Sequence, residues 1–412
     1  MAELGRALTI ASLLGWCALG ADQRAVAQES PRDFLGGVGK SAGEGKHSSS
    51  LLSLGSDAWQ RAGTGLIRGV TIGPIESSLH PNKGYGSAAY ERTLAESQRL
   101  GANWISLTVF SRMLDLHSTG ISLSFEAPFT ENRAALVRAV KQAHARGLRV
   151  LLVPHLWVES GEWRGEIDPG SDAAWAAWAK NYRAFLLTWA NIAREARVDM
   201  LSVGVELRSW LTTTHAVSFS PIIDDVRRAY PGLLTYAGNW DDIEQTVILG
   251  QLDVIGLNAF FPLAEKDDAS FAELSAGGRR VKDHLKQLAE AWQKPIFFNE
   301  FGYTTRANTA IKPWEWPDKM SHVAPDQGAQ AEAYRALLSA FVDEPWFAGF
   351  FMWRLYADPD DMSQEAEWGF SPRGKQAELV LRDAFHARWA GDDDAELGEA
   401  LWRDAASGIG RF

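Results

Sequence analysis

The sequence MLSVGVE at residues 200–206 is a short apolar run that ends in a carboxylate. The preceding residues, 172–197, are amphipathic with a helical period, and Ser171 can cap the helix that they predict. A Pro-Gly pair at residues 231–232 ends a second helical stretch just before the next apolar run. A short apolar strand between two helices is the unit from which parallel sheets are built.

The same alternation of apolar runs and amphipathic stretches extends from this unit in both directions along the chain. Eight strands, each followed by room for a helix, predict an α/β fold of the (β/α)₈ TIM barrel type in a single domain. An open doubly wound sheet is disfavoured because no glycine-rich phosphate loop follows the first strand. The predicted strands are residues 69–73, 104–110, 150–155, 200–206, 233–238, 254–258, 295–300 and 349–353.

Both ends of the chain are predicted to lie outside the barrel, which is assigned to residues 63–390. Residues 1–27 are typical of a secretory signal peptide, with a basic start, an apolar centre and a final Ala-Val-Ala. Residues 28–62 are rich in Gly and Ser and predict a linker or loose arm, and residues 391–412 predict an acidic solvated tail. The apolar run is shorter than the roughly 20 residues that span a bilayer. A secreted or periplasmic location without a stable membrane anchor is therefore expected, with an uncleaved anchor as the alternative.

Composition favours a neutral ligand. The net charge of -11 at pH 7 repels nucleic acid, anionic lipid and polyanionic glycans. The chain has 18 tryptophans; most are expected in the core, and the others offer flat faces on which sugar rings can pack. The single cysteine, Cys17, lies in the predicted signal peptide, so no disulfide or cysteine-ligated metal is expected in the mature chain. The composition leaves the oligomeric state open.

Two of the predicted strands end in glutamate, Glu206 and Glu300. Active sites of TIM barrels lie at the carboxyl ends of the strands. Strand alternation predicts that Glu206 points inward, and a charge at the end of the buried run IFFNE would be costly without a function. Two carboxylates at one barrel mouth indicate glycoside hydrolysis, with retention of configuration if they lie about 5–5.5 Å apart. The alternative is that one glutamate forms a buried ion pair with Arg164 or Arg208.

Other strand ends carry side chains suited to binding sugar. Histidine and asparagine can hydrogen-bond to hydroxyl groups, while tryptophan offers a stacking surface. No His or Cys cluster has metal-ligand spacing, and neither a Gly-x-Ser-x-Gly elbow nor a Walker loop is present. Neither a catalytic metal nor a cofactor is therefore predicted. The candidate binding residues are His155, Trp157, Asn239, Trp240, Asn258 and Trp353.

Seven segments near the strand ends read, in order, RVLLVPHLW, GEWRGEI, LSVGVEL, TYAGNWDD, LDVIGLNAFFPL, KPIFFNEFGYTT and WGFSPRGKQAE. They resemble glycoside hydrolase family 113, a β-mannanase family within the clan of retaining TIM-barrel glycosidases, over about residues 66–390. The resemblance implies that Glu206 of VGVEL is the acid/base and that Glu300 of FNEFGY is the nucleophile. It also implies that Trp163 and Arg164 of GEWRGEI line sugar subsites, together with the strand-end residues above.

The chain departs from the family pattern at several positions. Val205 stands where many clan members carry an asparagine that contacts the sugar 2-hydroxyl. Phe260 stands where a tyrosine is usual, so a phenol that could orient the nucleophile is missing, and Tyr303 is a candidate replacement. Residues 109–112 lack the aromatic-polar pair expected after the second strand. These departures affect the predicted substrate subsites more than the predicted chemistry. Phe260 and Tyr303 are also assigned to the substrate-binding residues.

The resemblance implies a retaining hydrolase of neutral β-glycans, with β-1,4-mannan as the favoured substrate. Glu300 would attack the anomeric carbon, and Glu206 would protonate the leaving oxygen and then activate water. Two alternatives stay open, a non-catalytic carbohydrate-binding TIM barrel and a transglycosylase that uses the same covalent intermediate. Endo or exo action is also open, and the loop at residues 304–327 is the candidate for a wall that closes one end of the cleft.

Overall fold

The computed structural model describes residues 55–73, 83–316, 323–361, 365 and 367–390. They form a closed barrel of eight parallel strands, in which each strand pairs with the next and the eighth pairs with the first. The predicted single-domain (β/α)₈ barrel is confirmed. The strands are β1 (Ile67–Gly73), β2 (Trp104–Met113), β3 (Arg149–Val158), β4 (Met200–Val205), β5 (Leu233–Asn239), β6 (Ile255–Asn258), β7 (Ile296–Phe301) and β8 (Phe347–Tyr356).

Strand boundaries differ from the prediction mainly at the barrel mouth, the end formed by the carboxyl termini of the strands. β2 and β3 run past their predicted ends because they stay paired over their whole length, as far as Met113 opposite Val158. β8 likewise extends to Tyr356. β4 instead ends at Val205, one residue before its predicted end, because Glu206 has a left-handed backbone conformation that lies outside the strand region.

α-Helices separate the strands and cover the outside of the barrel, except between β5 and β6, where two 3₁₀ segments, Ile243–Gln245 and Leu249–Gln251, make the connection. The long helix predicted at residues 172–197 is confirmed, as is its cap, because the Ser171 side chain accepts a hydrogen bond from Ala174 N at 3.2 Å. The helices are α1 (Asp57–Ala62), α2 (Ala88–Leu100), α3 (Phe129–Ala145), α4 (Asp172–Ala196), α5 (Arg208–Leu211), α6 (Ser220–Ala229), α7 (Phe271–Trp292), α8 (Gln327–Leu338) and α9 (Gln376–His386).

Apolar side chains fill the barrel interior below the mouth. Trp104, Phe297 and Phe351 meet there edge to face, with the Phe351 ring centroid 6.2 Å from that of Trp104 and 5.9 Å from that of Phe297. Gly69 leaves room for this packing, since a Cβ on it would lie 2.2 Å from the Phe351 ring. A ligand can therefore approach the strands only at the mouth. The other core members are Ile67, Leu151, Val153, Met200, Val205, Leu233, Ala237, Val254 and Ala348.

A short helix closes the opposite end of the barrel, called the floor below. α1 packs its apolar face, which includes the half-buried Trp59, against the interior core. Ser56 Oγ donates a hydrogen bond to the carboxylate of Asp253, just before β6, at 2.6 Å. The segment expected as a linker, residues 28–62, therefore ends in a docked helix. Its Gly and Ser content predicted a linker, but the segment also contains one tryptophan, which provides apolar area that can be buried.

Replacing this tryptophan is expected to destabilise the barrel. Trp59→Ala should lower the free energy of unfolding by about 2 kcal/mol, because a half-buried indole leaves the floor. Arg61→Ala, on the exposed face of the same helix, should change it by less than about 0.5 kcal/mol. Urea unfolding followed by far-UV circular dichroism measures both effects. Equal stability of the two variants would show that α1 does not belong to the cooperative folding unit.

The predictions for the two ends of the chain lie outside the described residues. These are the signal peptide at residues 1–27, the predicted linker as far as residue 54 and the acidic tail at residues 391–412. Of the helices in the described ranges, none has both the length and the apolar composition required to cross a bilayer.

Candidate active site

Glu206 follows β4 directly and places its carboxylate in the barrel mouth. Its φ of 50° is a strained value for a residue with a Cβ, and such strain is concentrated at functional sites. Its N–H still donates to the carbonyl of Ala237 in β5 at 2.9 Å, so the sheet holds the turn. β4 ends before Glu206, so the turn that follows the strand orients this side chain. The alternation of side chains along a strand, from which an inward direction was predicted, therefore does not apply to Glu206.

The carboxylate of Glu206 is buried, with 2% of the residue exposed, and accepts three hydrogen bonds. Oε2 accepts from Nε1 of Trp163 at 2.9 Å and from Nη1 of Arg164 at 2.6 Å, and Oε1 accepts from Nδ2 of Asn258 at 2.8 Å. The sequence allowed a buried ion pair with either Arg164 or Arg208. The structure shows the pair with Arg164, whereas Arg208 pairs with two aspartates. These three donors fix the orientation of the Glu206 side chain.

Glu300, near the end of β7, lies next to the same asparagine. It stands opposite Asn258 in the register of β6 and β7, and Nδ2 of Asn299 donates to Oδ1 of Asn258 at 3.2 Å. Glu300 is also 2% exposed, but its Oε2 has no hydrogen-bond partner among the residues that the structure describes. A buried carboxyl oxygen without a donor favours the neutral form of its group.

The two glutamates therefore differ in their electrostatics. Burial raises the pKa of Glu300 from 4.5 to about 8, and the negative charge of Glu206 adds to the rise, while Arg164 and Arg354 oppose it. The mouth thus holds two buried carboxyl groups in unequal environments, one with three hydrogen-bond donors and one with an unpartnered oxygen. Glycoside hydrolysis uses two carboxyl groups in unequal environments, since one group must attack or stabilise the sugar while the other supplies a proton.

A match to a family model determines the class of protein. The model of Glycoside Hydrolase Family 113 matches residues 79–375, more than two thirds of the chain. The chain belongs to glycoside hydrolase family 113. The resemblance inferred from the strand-end segments is thereby confirmed, and the protein is a glycoside hydrolase.

Solved structures show the same fold. A family 113 β-mannanase from Alicyclobacillus acidocaldarius is 27% identical with a TM-score of 0.68, and the alignment covers 79% of this chain and 98% of that one. A family 113 β-1,4-mannanase at 22% identity has a TM-score of 0.67 over 79% and 100% of the two chains. A family 5 mannosidase from Rhizomucor miehei, at 12% identity, has a TM-score of 0.56 over 79% and 95%. No curated protein sequence matches the chain.

The β2–β3 side of the mouth in this family 113 glycosidase is aromatic. The buried ring of His155 lies 4.8 Å from that of Phe110, and the half-buried Trp157 packs edge-on against Phe110 and Phe125. Nε2 of His155 has no hydrogen-bond partner within the described ranges. Burial, together with the charge of Arg164, lowers the pKa of His155 well below 6.5, so the imidazole is neutral. A neutral imidazole can donate to or accept from a sugar hydroxyl.

Tryptophans form the β5–β8 side of the mouth. Trp240, which follows β5, stacks on Trp314 with centroids 5.2 Å apart and an interplanar angle of 23°. Phe260, Trp316 and Trp353 belong to one buried aromatic cluster, against which that stacked pair packs. Trp314 and Trp316 come from the long loop after β7, so the loop predicted as a possible wall does reach the mouth.

Two of the candidate residues make other contacts. Asn239, the last residue of β5, donates to the carboxylate of Asp241 at 2.8 Å. The hydroxyl of Tyr303 is buried and donates to the backbone carbonyl of Phe261 at 3.1 Å. Tyr303 therefore does not replace the phenol that Phe260 lacks, because its hydroxyl group is already used by the backbone.

Asn299 is a site residue that the sequence reasoning missed. It orients the Asn258 amide so that the amide NH₂ faces Glu206, which links β7 to the carboxylate after β4. The only feature of the sequence that points to Asn299 is its position directly before Glu300 in FNEFGY. Arg354, the residue after Trp353, places its guanidinium 5.0 Å from that indole ring and opposes the rise in the pKa of Glu300.

Glu300→Gln is expected to stabilise the folded protein in a pH-dependent manner. An unfolded glutamate ionises near pH 4.5, whereas folded Glu300 ionises at about pH 8. The wild type therefore loses stability as the pH rises from 4.5 to 8, while a glutamine, which does not ionise, loses none. The Tm of Glu300→Gln minus that of wild type should be smallest at pH 4.5 and largest at pH 8. Calorimetry in half-unit pH steps tests this, and a difference independent of pH would contradict it.

Proposed function

We propose that this glycoside hydrolase acts with retention of configuration, with Glu300 as the nucleophile and Glu206 as the acid/base. The observation that carries the proposal is the pair of buried glutamates that share Asn258 as neighbour at the mouth of a family 113 barrel. The resemblance of VGVEL and FNEFGY to the family's catalytic segments supports the same roles.

The proposed reaction has two displacement steps. In the first, a Glu300 oxygen bonds to the anomeric carbon, the glycosidic C–O bond breaks, and Glu206 gives its proton to the leaving oxygen. In the second, Glu206 takes a proton from water as the water oxygen bonds to the same carbon, and the bond to Glu300 breaks. The sum is the addition of one water across one glycosidic bond, and each glutamate returns to its initial protonation state.

We propose β-1,4-mannan or manno-oligosaccharide as the substrate. Two of the similar proteins are named as β-mannanases. Trp157, Trp240 and Trp314 are only half-buried, so part of each ring at the mouth can contact a sugar face. The net charge of -11 disfavours acidic polymers, and another neutral β-glycan is therefore the next candidate.

The test is reducing-sugar release from mannan, glucomannan, cellulose, xylan and chitosan by wild type, Glu206→Ala and Glu300→Ala. Release from mannan that both substitutions lower by several orders of magnitude is expected, and NMR of the first product should show the β-anomer. Release from a different polymer would correct the substrate. No release from any polymer would favour the carbohydrate-binding alternative, and products longer than an oligosaccharide substrate would favour transglycosylation. The size distribution of the products also separates endo from exo action.

We further propose that the protein is exported and loses residues 1–27. The apolar segment and the Ala-Val-Ala pattern before residue 28 support this proposal. Mass spectrometry of the extracellular and periplasmic fractions of a bacterial host should find a chain that begins at residue 28. Full-length chain in the membrane fraction would instead support the uncleaved anchor.

A further inference from the structure

The turn after β4, which carries Glu206, is held by two contacts from β5. Glu206 has a left-handed backbone conformation, with φ of 50°, and its N–H donates to the carbonyl of Ala237 at 2.9 Å. The next N–H, that of Leu207, donates to the hydroxyl oxygen of Tyr236 at 2.7 Å. The first contact is between two backbones, whereas the second depends on one side chain. The hydroxyl group of Tyr236 can therefore be removed without any change to the backbone of β5.

Tyr236 lies behind the mouth of the barrel and not in it. Its ring packs in the apolar layer between the strands and the surrounding helices, whereas Ala237 beside it belongs to the core inside the barrel. Two glycines make room for the ring, since a Cβ on either Gly204 or Gly238 would lie 3.3 Å from one of its edge carbons. Tyr236 is 1% exposed. It therefore acts on the reaction only through the residues that it contacts.

The hydroxyl oxygen of Tyr236 serves a backbone group that is buried. Leu207 is 2% exposed and stands directly before α5. If the hydroxyl oxygen were absent, the N–H of Leu207 would lose this acceptor, and a buried N–H without a partner is costly. The turn would then shift to recover a partner, and the carboxyl group of Glu206, one residue away, would move with it. A displacement of about 1 Å can lower a rate by about 10²-fold.

We propose that Tyr236 is a positioning residue for Glu206. Acting through the backbone of Leu207, it keeps the carboxyl group of Glu206 in line with the leaving oxygen in the first step and with the attacking water in the second. Three side-chain donors hold the carboxyl end of Glu206, and Tyr236 holds the backbone end. The inference rests on the proposed function, in which Glu206 is the acid/base. Loss of the hydroxyl group would disturb the alignment of Glu206 without removing its carboxyl group.

Three kinetic constants separate the alignment of Glu206 from a general loss of structure. On manno-oligosaccharide, kcat/KM depends on a first step in which the leaving sugar needs an acid. On 2,4-dinitrophenyl β-mannoside the leaving group needs no acid, so kcat/KM depends on a first step without one. That first step is fast, and kcat on the aryl mannoside is therefore limited by the second step, which needs a base. Only the first and the third of these constants depend on Glu206.

Tyr236→Phe removes only the hydroxyl group and tests the proposal. kcat/KM on manno-oligosaccharide and kcat on the aryl mannoside should each fall about tenfold, whereas kcat/KM on the aryl mannoside should fall less than about threefold. Across a series of aryl β-mannosides, kcat/KM should also depend more steeply on the pKa of the leaving phenol, because a misaligned acid assists poor leaving groups less. Equal losses in all three constants, or no loss in the two that depend on Glu206, would overturn the proposal.

Tyr230→Phe is the matched control. Tyr230 is also 1% exposed, and its hydroxyl group donates to the carbonyl of Val198, just before β4, at 2.7 Å. This contact lies at the opposite end of β4 from Glu206. The control variant should lose Tm as Tyr236→Phe does, but the ratios between its three kinetic constants should equal those of wild type. The same change of ratios in both variants would also overturn the proposal.

Gly204→Ala covers the case in which Tyr236→Phe does not fold. Its Cβ would lie 2.9 Å from Cδ1 of Leu207 and 3.3 Å from the ring of Tyr236, so it pushes on both partners of the hydrogen bond. The two constants that depend on Glu206 should fall more than the third, and three equal losses would again contradict the proposal. Failure of the proposed function looks different, because wild type would be inactive, or Glu206→Ala and Glu300→Ala would be fully active.

Discussion

Glu300→Gly is expected to lower kcat/KM on mannan by at least about 10⁴-fold. The substitution removes the atom proposed to bond to the anomeric carbon, so no covalent intermediate can form. It also removes a buried carboxyl whose Oε2 has no partner in the described part of the chain, and the fold should therefore persist. Added azide should restore turnover of 2,4-dinitrophenyl β-mannoside by attacking from the vacated space. The product should be the α-glycosyl azide, because the anomeric carbon is inverted once.

The configuration of that azide, measured by NMR, is the decisive result. A β-glycosyl azide from Glu300→Gly would show that Glu300 is not the nucleophile. Glu162→Gly serves as the matched control, because this glutamate is exposed in the loop after β3. It should keep kcat/KM within about twofold of wild type.

Glu206→Gly is expected to affect poor and good leaving groups differently. kcat/KM on mannan should fall by about 10³-fold, because the departing sugar oxygen needs a proton. kcat/KM on the dinitrophenyl mannoside should change by less than about tenfold, because its first step needs no acid. The second step then lacks its base, so a burst of dinitrophenol should precede a slow steady state. Azide should accelerate that steady state and yield the β-glycosyl azide, since the carbon is inverted twice.

These two substitutions also test whether the roles are exchanged. Burial raises the pKa of Glu300 to about 8, whereas three donors surround the carboxyl group of Glu206. Taken alone, this charge distribution would suit Glu206 as the nucleophile and Glu300 as the acid. In that case Glu206→Gly would give the α-azide and Glu300→Gly the β-azide. The opposite pattern would support the assignment proposed here.

The fold could be predicted from the sequence because its strands are buried on both faces. Such strands appear as short apolar runs whose number and spacing are independent of side-chain detail. α1 could not be found in this way. The contribution of α1 to stability depends on where one tryptophan packs, which the sequence does not indicate. The Gly- and Ser-rich residues around it have the composition that is usual for a linker.

The site could be predicted only in part. Position at a strand end identified Glu206 and Glu300, because a charge at the end of a buried run is costly unless it has a function. Contact partners depend on turns that no periodicity describes. The left-handed backbone at Glu206 and the fold-back of Trp163 over Gly165 decide which donors meet Oε2. For the same reason Tyr303, two residues beyond β7, gives its hydroxyl to a backbone carbonyl.

The position of α1 determines how the enzyme can be attached to a support. The chain enters the barrel through Gly55, whose N–H donates to Gln293 O just before β7, on the face where the strands begin. The cleft opens on the other face. A tether joined directly at Gly55, such as a fused module or an immobilising resin, would therefore attach on the face opposite the cleft. A long polymer could then approach the cleft without steric obstruction from the support.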